Sequence, residues 1–242
     1  MKNIGVIFKR EMAAYFNSPI AYIFIIVFLV LNAGLYMTSF FLQGQADMRG
    51  IFSNLPLFLI FFIPALTMRL WAEDRRSGTF ELLMTLPMKA AEVMGGKYLA
   101  ALAFYLIALI GTLPIPIMLA MLGNPDGGAI LAGYFGALLL GALYLAVGIF
   151  VSGLVRDQIT AFILGMILCF ALFFVGIGPV AATIDGWIGG LGSFLQRAFG
   201  LMPHYESLQR GVITLGDLSY FLSLSAVFLA MNAYWLEGRK HG

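Results

Sequence analysis

Long apolar stretches, each closed off by a few polar or turn-forming residues, dominate the chain from end to end. Six of them stand out, at 20–42, 55–70, 98–121, 130–154, 159–180 and 218–236. Crossing a bilayer takes about 20 apolar residues in a helix, because lipid offers no partner to an open backbone N–H or C=O. The pattern predicts an all-α membrane protein whose six transmembrane helices form a single domain over 1–242. The second run is short and contains Pro56 and Pro64, the third contains Pro114 and Pro116, and a local kink is expected at each proline. No Asp, Glu, Lys, Arg or His lies well inside any run, and Arg69 stands at the very end of the second.

Two weaker patterns flank these runs. In residues 2–17, Ile4, Ile7, Phe8, Met12, Tyr15 and Phe16 recur at helical spacing, while Lys2, Lys9, Arg10 and Asn17 fall largely elsewhere. This predicts an amphipathic interfacial helix within 1–19, with its cations near anionic head groups. A cleavable signal peptide is the competing reading. The run from Ile20 to Leu42 is too long and starts too late for one. Residues 181–217 carry Ile184, Trp187, Ile188, Leu191, Phe194, Leu195 and Phe199 at three- and four-residue steps, interrupted by Gly189, Gly190 and Gly192. A second short helix, His204 to Arg210, is expected to open at Pro203 and close at Gly211. These short helices either enter the membrane surface or form a lid packed on the bundle, and the pattern leaves both readings open.

Composition narrows the class. Of 242 residues, 61% are hydrophobic and 11% charged, so lipid rather than water is the solvent for most of the surface. The net charge of +2 and the dispersed cations give no footprint for nucleic acid. The single cysteine, Cys169, lies in an apolar run, has no disulfide partner, and is expected to pack as a small apolar side chain. Cations also set orientation. With the N-terminus inside, the inner segments hold Lys2, Lys9, Arg10, Arg69, Arg75, Arg76, Lys89, Lys97, Arg156, Arg239 and Lys240, against Arg49, Arg197 and Arg210 outside. Both termini are thus expected in the cytoplasm, with 71–97 on the inner face and 181–217 on the outer face of the cell (inner) membrane.

The stretch between the second and third runs is the richest in motif. It reads Arg69-Leu-Trp-Ala-Glu73-Asp74-Arg75-Arg76-Ser77-Gly78-Thr79-Phe80-Glu81-Leu82-Leu83-Met84-Thr85-Leu86-Pro87, and continues through Lys89 and Glu92 to Gly95-Gly96-Lys97. Ser77 or Gly78 is suited to cap a short helix with Glu81 near its positive end, and Pro87 stops it. Such a helix presents Phe80, Leu82, Leu83 and Leu86 on the water side of the membrane. An exposed apolar rod calls for a covering partner or for a bed of lipid head groups.

Glu73-x-Arg75-x-x-Gly78-Thr79-x-Glu81-Leu82-Leu83-x-x-x-Pro87, with Gly96-Lys97 at the foot of the third run, resembles the coupling-helix signature of ABC-2 type transporter permeases. His204-Tyr205-Glu206-Ser207-Leu208-x-Arg210-Gly211-Val212-Ile213, followed by Asp217 and Tyr220-Phe221-x-Ser223, is similar to the gliding-motility branch, departing from it at Thr214 and Gly216. The resemblance implies a permease subunit of an ATP-driven exporter. In it, Glu73, Arg75, Gly78, Thr79, Phe80, Glu81, Leu82, Leu83 and Pro87 form the coupling site for a cytoplasmic ABC ATPase. It further implies a second permease subunit, identical or homologous, surrounding membrane lipid, and scope for an outer-face accessory protein. ATP and magnesium would be held by the ATPase, and no cofactor by this chain.

Other chemistries find less support. A phosphate-cradling loop needs Gly-x-x-x-x-Gly-Lys-Ser/Thr, but Gly96-Lys97 is followed by Tyr98 and preceded five positions back by Ala91. His204 and His241 fall on opposite faces of the predicted topology, so no metal or catalytic set forms around them, and the chain is not expected to be an enzyme. An outer-face hydrogen bond suits His204 and Glu206 better than catalysis. Ion-coupled carriers usually keep ionisable groups within the membrane, which weighs against an ATP-independent carrier or channel. A non-transporting scaffold for an ATPase is the third alternative.

Overall fold

A computed structural model describes residues 2–43, 47–80, 88–123 and 125–240. Its helices, in chain order, are α1 (Lys2–Phe16), α2 (Pro19–Gln43), α3 (Arg49–Thr67), α4 (Arg69–Arg76), α5 (Ala90–Ile110), α6 (Pro114–Leu122), α7 (Gly127–Leu154), α8 (Gln158–Val175), α9 (Gly178–Trp187), α10 (Leu191–Phe199), α11 (Met202–Gln209) and α12 (Leu215–Lys240). Among the described residues no strand occurs. Six segments are long and apolar enough to cross a membrane: α2, α3 with α4, α5 with α6, α7, α8 and α12.

The centre of the bundle is α7, packed against α3, α5, α8, α11 and α12. Its glycines make that possible. A Cβ on Gly141 would lie 2.1 Å from the Tyr105 ring of α5, and one on Gly148 would lie 2.1 Å from Oγ1 of Thr67 on α3. Gly133 and Gly136 admit Phe52 and Leu208 in the same way. Small residues let backbones approach where lipid supplies no hydrophobic drive between helices. Cys169 is fully buried on α8.

The prolines act in different ways. Pro114 and Pro116 go beyond a kink: the third apolar run breaks at Gly111–Leu113 and restarts as α6, with Pro114 in its first turn. Pro56 stays inside α3 and, having no N–H, leaves the Phe52 carbonyl without its helical partner. Tyr205 OH and Gln209 Nε2 of α11 both donate to that carbonyl, at 3.0 and 3.1 Å, which docks α11 on α3.

Several runs also end differently from the apolar pattern. The third begins at Ala90, not 98, because Lys89 N–H donates to the Glu92 carboxylate and starts the helix there. The fifth stops at Val175, and the chain turns at Gly176–Ile177 before Pro179 enters α9. A Cβ on Gly176 would lie 2.6 Å from the Met202 nitrogen, so the turn lets the start of α11 close in. Residues 178–209 form three short helices rather than two. Gly190, at φ +82°, separates α9 from α10, and Asp185 of α9 accepts the Ser193 N–H of α10 at 3.0 Å.

The two ends of the bundle differ in their polar contacts. At one end, α1, α4, the start of α5 and the last turns of α12 gather, with Asn232 Nδ2 donating to Ile149 O at 2.6 Å. At the other, His204 Nδ1 meets Asp217 Oδ1 at 2.8 Å, while Ser207 and Thr214 donate to Asp217 Oδ2. His204 pairs with Asp217 rather than Glu206, whose carboxylate meets Arg210 at 3.3 Å. The cluster joins α11 to the first turn of α12.

Candidate functional site

The motif-bearing segment begins where the second span breaks. Pro64 leaves Ile60 O without its helical donor, and one turn later α3 ends at Thr67, with α4 restarting at Arg69. Ser152 of α7 bridges the discontinuity: its hydroxyl donates to Met68 O at 3.2 Å and accepts the Trp71 N–H at 3.3 Å. Gly148, one turn earlier on α7, admits Thr67. The same face of α7 therefore seats the end of α3 and the start of α4.

Arg75 fixes the far end of α4. Its guanidinium donates to the Gly153 and Val155 carbonyls, acceptors left open where α7 terminates. A cation at a helix C-terminus also meets the negative end of the helix dipole. The same guanidinium lies 4.9 Å from the Phe80 ring centroid, and Phe80 packs edge-on against Trp71 at 6.0 Å. Glu73 points outward and pairs with Arg69 at 3.4 Å. Gly78, at φ +71°, closes α4 in a left-handed conformation that L side chains rarely adopt, and residues 79–80 are helical again. Gly78 thus ends the preceding helix and stands directly before the next, for which the pattern offers Ser77 or Gly78 as cap. Phe80 is half-buried on Trp71 rather than presented to water. Glu81, Leu82, Leu83 and Pro87, as well as Leu86, lie outside the described residues.

Beneath this segment sits a charge cluster that sequence reasoning missed. Lys97 of α5 is 1% exposed. Its ammonium lies 2.9 Å from Glu11 Oε1, 2.6 Å from Asp74 Oδ2 and 2.7 Å from Leu70 O. Glu11 Oε1 and Leu70 O accept hydrogen bonds from it, and Asp74 Oδ2 adds an ion pair. Arg10 Nη2 then reaches Asp74 Oδ1 at 2.7 Å and Glu11 Oε1 at 3.2 Å. Two cations and two anions alternate in a closed, neutral ring contributed by α1, α4 and α5. Thr79 Oγ1 donates to Asp74 Oδ1 at 3.0 Å, and the Lys97 ammonium lies 5.1 Å from the Trp71 ring centroid. The Cβ of a side chain at Gly96 would meet Ile7 at 2.7 Å, so Gly96 is what lets α1 lie close enough for Glu11 to reach Lys97.

The signal for this cluster was present in the chain. Glu11 interrupts the apolar stripe of α1, four residues after Ile7 and four before Tyr15. An acid on an apolar face needs a buried cation opposite it. Starting the third span at 98 placed Lys97 outside the helix and hid its partner.

Beside α4, a cleft of about 560 Å³ is lined by Ala72, Arg75, Arg76 and residues 156–159 of the α7–α8 turn. There Asp157 caps α8 by accepting the Thr160 N–H at 2.9 Å, and this backbone hydrogen bond holds its carboxyl below the usual range. Among the described residues no group of three His, Cys, Asp or Glu is placed to hold a metal ion.

Residues 13–234 match the model of a family described as ABC-2 family transporter protein. The match covers nearly the whole chain, and the chain belongs to that family. No curated protein matches it. Family membership and the six candidate spans together make the chain a multi-pass membrane permease.

Proposed function

We propose that this ABC-2 family permease is the membrane subunit of an ATP-driven exporter, powered by a separate ATPase that docks on residues 73–87. The observation that carries the reading is the family match over 13–234; of the signature residues, the described ones, Glu73, Arg75, Gly78, Thr79 and Phe80, adjoin Asp74, which pairs with Arg10 of α1. Trp71, Arg75 and Phe80 support it, because they give the segment a rigid base on α7. A docking element must transmit force, and a base bonded to the central helix does so without slack.

In this reading the end with α1 and α4 faces the cytoplasm of the cell (inner) membrane, and α9–α11 face outward. We also propose that α1 lies along the inner interface and that 78–87 is the coupling helix. A second permease subunit completes the translocation path, and the partner ATPase supplies the ATP and magnesium sites. The His204–Asp217 cluster belongs to the second motif, which supports the gliding-motility branch.

Affinity purification from the native membrane tests the reading directly. An ATPase should co-purify, and Glu81→Lys or the paired Leu82→Asp/Leu83→Asp change should release it while the membrane domain stays folded. Full retention of the ATPase and of transport in those variants overturns the docking role. Flux through the lone chain in liposomes would instead favour an ATP-independent carrier. Orientation is checked by impermeant maleimide on whole cells: Trp187→Cys should label and Lys9→Cys should not.

A further inference from the structure

The Gly96-Lys97 pair combines a close helix approach with a buried cation. We infer that it makes α1 part of the coupling unit: Lys97 is a positioning residue that locks α1 to α4, and through Asp74 to Thr79, which follows the Gly78 turn within the docking segment. This rests on the docking reading above for its functional consequence, though its structural content does not.

The physical case is the ring itself. Lys97, Asp74 and Glu11 are 1%, 8% and 10% exposed, and burying such groups is costly unless each is matched. An apolar contact between α1 and α5 would hold the helices together but would tolerate sliding and rotation. Alternating charges permit one register, because moving α1 by a turn would leave Lys97 facing no Glu11 and Asp74 facing no Arg10. The ring is neutral, so it exerts no pull on a distant ion. What it does is fix geometry. Asp74 is the junction, holding Lys97 and Arg10 while accepting Thr79. A displacement of the docking segment therefore reaches α1 through one carboxylate, and Gly96 keeps the gap short enough for the link to close.

The test uses the full chain with nitroxide labels at Lys9→Cys on α1 and Arg76→Cys on α4, in a Cys169→Ala background, read by pulsed electron-electron resonance. The parent should give one narrow distance. The paired Glu11→Leu/Lys97→Met variant removes one charge of each sign, so no buried charge is orphaned by the exchange. It should stay folded yet give a broadened or two-peaked distribution. Gly96→Ala keeps all four charges and wedges α1 outward, so it should lengthen the same distance even if the paired variant fails to fold. An unchanged narrow distance in either folded variant overturns the inference.

A second arm addresses function. With the co-purifying ATPase bound, the parent distance should be the same in Mg-ATP and Mg-ADP, as two helices moving together require. A distance that differs between the two nucleotides in the parent also overturns it. If no ATPase co-purifies, the docking reading fails alone, and the lone-chain distances still decide whether Lys97 is the lock.

Discussion

Gly148→Ala tests whether the approach of α3 to α7 positions the site. In an unconstrained helix the change would be favourable by up to about 1 kcal/mol, because glycine is the poorer helix former. Here the new methyl would lie 2.1 Å from Thr67 Oγ1, 2.9 Å from its Cβ and 3.0 Å from its Cγ2. Thr67 cannot swing aside, being 1% exposed with its hydroxyl donating to Ile63 O at 3.0 Å. Overpacking of this kind costs about 1–3 kcal/mol, and losing the hydroxyl's hydrogen bond adds about 1 kcal/mol. The favourable propensity offsets only part, leaving a net loss of about 1–3 kcal/mol. Gly34→Ala is the internal control, since nothing lies within 4 Å of a Cβ built there. Unfolding in detergent is read by a thiol-reactive dye on Cys169, the chain's single cysteine and fully buried until the bundle opens. At roughly 2–4 °C per kcal/mol for a chain of this size, Gly148→Ala should melt several degrees low and Gly34→Ala slightly high. Equal midpoints for the two variants would refute the close approach, and with it the account of how α7 seats the α3–α4 junction.

Other substitutions probe the remaining joints. Arg75→Lys keeps the charge but cannot serve the Gly153 and Val155 carbonyls with a planar fork, so thermal stability should fall by about 1–2 kcal/mol. Tyr205→Phe should cost about 1 kcal/mol alone and more when combined with Gln209→Leu, since the Phe52 carbonyl then has neither donor. In a Pro56→Ala background, where the backbone N–H returns to Phe52 O, the same pair should cost less, and a double-mutant cycle measures the difference. Asp157→Asn should leave stability unchanged below the folded-state pKa of that carboxyl and lower it near neutrality. Its pKa is depressed by the Thr160 N–H, so its contribution is present above the unfolded value and is lost as pH falls through the folded one. A pH series of melting midpoints reads this directly.

The spans were legible because lipid imposes a blunt requirement, and runs such as 130–154 satisfy it by length alone. The close helix approaches at Gly141 and Gly148 could be suspected from glycine content, though their partners, Tyr105 and Thr67, could not. What the pattern missed are places where a specific partner overrides an average property. Lys97 is one, because hydropathy treats a cation as a boundary while two carboxylates and the Leu70 carbonyl make it an interior residue. The break at Gly111–Leu113 is another: paired prolines at 114 and 116 announce a distortion, and only neighbouring helices decide between a bend and a restart. Gly78 also ends α4, a second role the pattern did not reveal, because the positive φ behind it has no one-residue signature.

The ring around Lys97 bears on how the protein is made. A ribosome releases Glu11 first, Asp74 next and Lys97 last, so both carboxylates have already been synthesised when the ammonium emerges. Insertion of the third span is then accompanied by neutralisation of its one buried cation, and the first half of the chain can close on itself before α7 is synthesised. A nascent chain without residues 1–19 would bring the same cation to the membrane with only Asp74 to meet it, and insertion of that span should be where biogenesis stalls.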